Sequence, residues 1–270
     1  MIRLNKSAPF FINKSVPFFI AEGAIRYSWL STQRRNWSST LKRPWDIKAL
    51  REHIAVDHPE TAKNLIRQVN SLGRSKDLFD YHAFLARDAY KDFLDADPSG
   101  LVVAYHSLGG GDQQKWDTAN LQSEANLIGC ISTVVNAYET FGQLLDGLGM
   151  VAPYDRRLDV HKACRGLAAG EVKDLLNEAT SAAAYKYLKA FTNTNKHHQL
   201  IDHHMSLSFE DGRSGAGVEK FTYEGHSGKL EEYPTRWAED VLRDAVNVLS
   251  ALLDCGRALN RYHQIPCTDH

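Results

Sequence analysis

The chain has 270 residues, enough for one large domain or two small ones, and its 43% hydrophobic and 24% charged content is ordinary for a globular protein. Its net charge of -1 conceals a split: residues 1–53 hold ten Lys or Arg against three acidic residues, which places +7 there and -8 on the remainder. No apolar run approaches the ~18 residues of a membrane span. Cys130, Cys164, Cys255 and Cys267 form no C-x-x-C pair, which speaks against a zinc knuckle or a disulfide framework and for thiols in a reducing, cytoplasmic setting.

Residues 1–45 form a basic extension built on octads. "NKSAPFFI" (5–12) returns as "NKSVPFFI" (13–20), and "SWLSTQRR" (28–35) returns as "NWSSTLKR" (36–43). An even repeat keeps its faces in a strand, whereas a helix would drift by about 80 degrees per octad. Pro9 and Pro17, however, cannot donate to a β-ladder. Two readings stand. The extension is a weakly ordered leader, a misplaced start included, or it is a nucleic-acid arm. In the arm, Trp29 and Trp37 stack on bases while Arg34, Arg35, Lys42 and Arg43 meet phosphates.

From Asp46 the pattern is helical. "DIKALREHIAV" predicts one helix. A second opens near Asp57, with Glu60 three residues later and Pro59 in its first turn, and closes at Gly73. Ser75 opens a third, which places Leu78, Phe79, Phe84, Leu85, Phe93 and Leu94 at bundle spacing before Asp97–Gly100 stops it. "LVVAYH" (101–106) reads as a short strand or buried turn. The glycines at 109–111 read as a flexible loop, without the Lys and Ser/Thr of a phosphate-binding loop.

Thr118 to Leu148 is the longest periodic segment. Leu121, Ala125, Ile128, Ile131, Val135, Tyr138 and Leu145 make one stripe, and Leu127, Val134, Phe141 and Leu148 make a second beside it. A face this wide belongs to a helix central to a bundle. After Pro153, "YDRRLDVHKACRGLAAG" and "SAAAYKYLKAFTNTNKHH" predict two more helices. Met205, Leu207 and Phe209, then Val218, Phe221 and Tyr223, alternate on either side of a Gly-rich linker and predict a β-hairpin. A last helix from about Thr235 turns Leu242, Ala245, Leu249, Leu252 and Leu259 inward. The expected fold is mainly α: a helical bundle over 46–270 with a β-hairpin inserted before the C-terminal helix.

The stretch "FTNTNKHHQLIDHH" (191–204) is the richest in chemistry, with four of the twelve histidines. Helix ends are places where polar groups converge. One chemistry it allows is metal-independent RNA cleavage. His197 or His203 would move protons, Lys196 would steady the charge on the phosphoryl group, and Asn193, Asn195 and His198 would orient the substrate. A metal pair of His198 and Asp202, four apart on a continued helix, is the other, although no H-E-x-x-H or Cys partner supports it. A third possibility is plain: solvated polar residues that cap a helix. No G-x-S-x-G elbow occurs, and no cofactor is implied.

An Asn-Lys-His stretch closing a bundle helix, followed by a hairpin and a terminal helix, resembles the HEPN superfamily over about residues 121–260. The resemblance implies a helical-bundle protein of a prokaryotic toxin or anti-phage system. It further implies a homodimer that engages RNA as a metal-independent endoribonuclease through an Arg-x(4–6)-His signature. His197 or His203 would supply the His of that signature. The chain has no Arg between Arg165 and Arg213, so the role of the Arg would fall to Lys196, a point charge in place of a planar fork. Many members of the family are inactive. The same resemblance therefore implies, as the alternative, a non-catalytic interaction or dimerisation module that binds a protein partner such as an antitoxin or a defence subunit.

Overall fold

The computed structural model describes residues 45–96, 105–154, 158–208, 213–225 and 228–265. The basic extension with its arm residues Trp29, Arg34, Arg35, Trp37, Lys42 and Arg43, the expected stop at 97–100, residues 101–104 of the stretch read as a strand or buried turn, and Phe209 of the expected hairpin lie outside the described residues. The end of that stretch, Tyr105 and His106, is helical rather than extended.

The architecture is the expected one, mainly α with strands before the last helix. Helix α1 (Ile47–Asp57) is capped by Asp46, whose carboxylate accepts from the Ala49 N–H at 2.9 Å. Leu50 and Ile54 bury its inner face completely. Trp45, just before the cap, is built into the body. Its Nε1 donates to Asn260 Oδ1 at 2.9 Å, and Asn260 Nδ2 donates to the Asp46 carbonyl at 2.9 Å. The indole occupies the space that a Cβ on Gly256 would need, 2.3 Å from Trp45 Cδ2, so only glycine admits this approach.

Helix α2 (Ala62–Asp88) corrects two expectations. It runs without a break through Gly73 and Ser75, where two helices were predicted, and its N-cap is Thr61 rather than Asp57. Asp57 instead ends α1, 3.2 Å from His53 Nδ1. A mid-helix glycine costs only about 1 kcal/mol. The buried row of Leu65, Val69, Leu72, Phe79, Ala83 and Ala86 outweighs that cost by continuing across it.

After the short α3 (Lys91–Ala96), helix α4 (Gln113–Gly147) runs ~50 Å through the centre of the bundle. It lies antiparallel to α2, as the contacts His82–Asn126 at 2.9 Å and Tyr90–Asn120 at 2.7 Å show. The Tyr138 hydroxyl donates to the Val248 carbonyl at 2.8 Å and so pins α4 to the last helix. Three helices follow where two were expected: α5 (Val160–Gly166), α6 (Glu171–Ser181) and α7 (Ala183–His197). Only Ala182, in extended geometry, separates α6 from α7.

The β insert is larger than one hairpin. Strands β1 (His203–Ser208), β2 (Arg213–Val218) and β5 (Arg236–Trp237) form an antiparallel sheet in the order β1-β2-β5, with His203 opposite Val218. Strands β3 (Phe221–Glu224) and β4 (Leu230–Tyr233) form a separate hairpin, so Phe221 and Tyr223 do not pair with Met205. The Gly-rich stretch expected to link the strands is itself part of β2. A Cβ on Gly217 would sit 3.0 Å from Ser206 Oγ, and glycine is what lets that neighbour close in. Helix α8 (Ala238–Tyr262) closes the fold and buries Leu242, Ala245, Leu249, Leu252 and Leu259 as expected.

A small second core joins Tyr90, Phe93, Trp116, Ala119 and Met205. The His106 ring stacks on Trp116 with centroids 5.0 Å apart. The 109–111 loop is a hydrogen-bonded turn over these rings, not a free one. Gly109 and Gly110 donate to the His106 and Tyr105 carbonyls at 3.0 and 2.9 Å, and a Cβ on Gly111 would meet the His106 ring at 2.3 Å.

Candidate functional site

Helix α7 ends at His197, and its last turn carries most of the residues singled out in the sequence. The two asparagines are occupied in holding the turn. Asn193 Nδ2 donates to the Tyr223 hydroxyl at 3.1 Å, which ties α7 to β3. Asn195 Oδ1 accepts from the Ile201 N–H at 2.8 Å and closes the loop that leads into β1. The Thr194 carbonyl accepts from both His198 N and Gln199 N, at 2.9 and 3.1 Å. Asn195 Nδ2 and the Thr192 and Thr194 hydroxyls are buried without a hydrogen-bond partner among the described residues.

Lys196, His197 and His198 are exposed. Lys196 Nζ reaches Asn136 Oδ1 at 3.5 Å. His203 lies elsewhere. Its Nε2 is 3.4 Å from Ser123 Oγ, and its Nδ1 is buried with no hydrogen-bond partner among the described residues. Burial first, then the neighbouring His204, pushes its pKa down to about 4, so the ring is neutral at pH 7.

Ser123 and Asn136 are thirteen positions apart on α4, so Lys196 and His203 stand ~20 Å from each other along that helix. Within one chain they cannot grip a single phosphate. A neutral imidazole beside a hydroxyl has the parts of a general-base pair, yet Nδ1 lacks the orienting acceptor that such pairs use.

The metal pairing fails for a local reason. The helix stops before His198, so His198 and Asp202 do not share a helical face. His204 points away from His203, as strand alternation requires, and lies 3.5 Å from Glu219. No group of three or more His, Cys, Asp or Glu able to hold a metal occurs among the described residues.

A second polar centre forms where the sequence reading assigned no role. At the ends of α1 and α8, the rings of His53 and His263 lie 4.8 Å apart. His263 Nε2 is buried without a hydrogen-bond partner among the described residues. Burial, then the charges of His53 and His58, lower the His263 pKa, while Asp57 opposes them. Arg257, six residues before His263, pairs with Asp254. An Arg-x(5)-His spacing was therefore legible at 257–263, although nothing local showed that the His53 imidazole of α1 would join it.

No helix among the described residues is long and apolar enough to cross a membrane. No protein-family model, no curated protein and no solved structure matches the chain.

Proposed function

We propose that this chain is a non-catalytic helical interaction module of HEPN-like type, which acts by pairing with a protein partner, a second copy of itself included. The observation that carries the reading is the disposition of the 193–204 turn. Its amides hold the turn to Tyr223 and Ile201, and Lys196 and His203 stand ~20 Å apart. The test is the purified full chain with labelled single-stranded RNA in EDTA. Intact RNA is expected. Cleavage that disappears in both Lys196→Ala and His203→Ala would overturn the reading.

One observation favours a second reading, in which the chain engages RNA as a metal-independent endoribonuclease. It is the meeting of His53 and His263 beside Asp57, with Arg257 one signature spacing upstream of His263. Imidazole is the side-chain group suited to general acid–base work at neutral pH, and burial lowers the pKa of His263, which favours its neutral, proton-accepting form. In the same assay this reading requires cleavage that survives Lys196→Ala and is lost in His263→Ala.

A further inference from the structure

We propose that the solvent side of α2 is the seam of a symmetric antiparallel pair, its occupant a second copy of this chain. The inference deepens the interaction-module reading and rests on it. The inner side of α2 is occupied by Leu65, Val69, Leu72, Phe79, Ala83 and Ala86. The outer side carries an apolar ridge that no described residue covers: Leu78 is 44% exposed, Tyr81 59% and Phe84 62%, with Leu85 half-buried beside them. Positions 74, 78, 81, 85 and 88 follow the alternating four- and three-residue steps of a coiled-coil seam. Arg74 and Asp88, both exposed, end it.

The order of these residues is what selects the occupant. Counted from Tyr81, Arg74 lies seven positions before and Asp88 seven after, while Leu78 lies three before and Phe84 three after. A two-fold interface brings the same patch of both copies together, so the patch must complement itself. With the axis at Tyr81 and the helices antiparallel, Arg74 of each copy comes level with Asp88 of the other. Leu78 comes level with Phe84 and next to Leu85, and the two tyrosines meet at the centre. Opposite charges fall at the symmetric ends, and Leu78, Tyr81, Phe84 and Leu85 lie between them; the exposed Asp77 of each copy comes level with Leu85 of the other and stays at the rim of the seam. Asp80 is engaged by Lys76 of its own chain at 2.6 Å and leaves the seam undisturbed. One helix pair is a modest interface, so the dimer is concentration-dependent.

The test is sedimentation of the full chain over a range of micromolar concentrations, with thermal unfolding run beside it. A reversible dimer is expected. Tyr81→Glu should abolish it and leave thermal unfolding close to wild type. Arg74→Asp should raise the dissociation constant about tenfold by setting two carboxylates against each other twice per dimer, and Asp88→Arg should do the same with two cations. Both changes in one chain should restore the dimer. A chain that stays monomeric, or whose Tyr81 ridge is shielded by another segment of the same chain, overturns the proposal. So does a dimer indifferent to Tyr81→Glu and Arg74→Asp; that outcome leaves the module reading standing, since pairing then uses another face. RNA cleavage that depends on Lys196 and His203 has the reverse effect, because it sinks the module reading and does not touch the seam.

Discussion

The two halves of α4 show the same kind of apolar periodicity and have different surroundings. From Leu127 onward the helix is enclosed, with Ile131, Val134, Tyr138, Phe141 and Leu145 almost wholly buried by α2, α5, α7 and α8. Before that point Leu121 is 65% exposed, although it begins the same stripe, and Ala125 is also exposed. Among the described residues the first half is covered in part, where His82, Tyr90, Phe93, His106 and β1 reach it. Periodicity therefore specifies that a helix has an apolar face, while the neighbours decide how much of that face leaves water.

The comparison can be broken most directly in the enclosed half. Phe141→Ala should cost about 3–5 kcal/mol, because its cavity lies under Trp45, whose ring is 6.0 Å away, and has little room to collapse. Denaturant unfolding measures it, and a loss below about 1 kcal/mol would place Phe141 outside the rigid core.

The next largest effect is a pH response in the open half. His203 is held neutral in the fold, while the unfolded chain takes up a proton near its ordinary pKa of 6.5, so the folded state is favoured fully above that value. That stability is lost as pH falls from 6.5 toward about 4, by at most about 3 kcal/mol. His203→Gln should flatten this part of the stability–pH curve. An unchanged slope would show that the imidazole is solvated.

Within the α7 turn, Asn195→Ala should cost about 1–2 kcal/mol, since it leaves the Ile201 N–H without its acceptor. Lys196→Ala, one residue on and exposed, should leave the melting temperature nearly unchanged. Equal effects would mean that the turn is not held by Asn195. The smallest effect sharpens the comparison from the other side. Leu121→Ser should change stability by no more than about 0.5 kcal/mol, and a loss like that of Phe141→Ala would mean that the open half is covered in solution.

Much of the fold was legible because its signals are local. The helical pattern from Asp46, most of the α4 stripes and the inward row of α8 each belong to a single segment and form as expected, with Leu121 and Ala125 left exposed. Several of the failures lay at glycines. Gly73 looked like a stop and became helix interior, the 109–111 glycines looked like a free loop and became a packed turn, and Gly217 looked like linker and became strand. A glycine permits both outcomes, and what approaches it decides between them.

The candidate site follows the same division. That residues 193–204 are polar and end a helix is a property of the stretch alone. That Asn193 turns to Tyr223, Asn195 to Ile201 and His203 to Ser123 depends on partners in other elements. The sequence by itself determined most of the helical periods and the class of fold, because apolar spacing within a segment specifies them. Tertiary structure alone decided which stripe left water and which imidazoles met. Those outcomes turn on contacts such as Trp45 with Asn260, 215 residues apart, which no local pattern encodes.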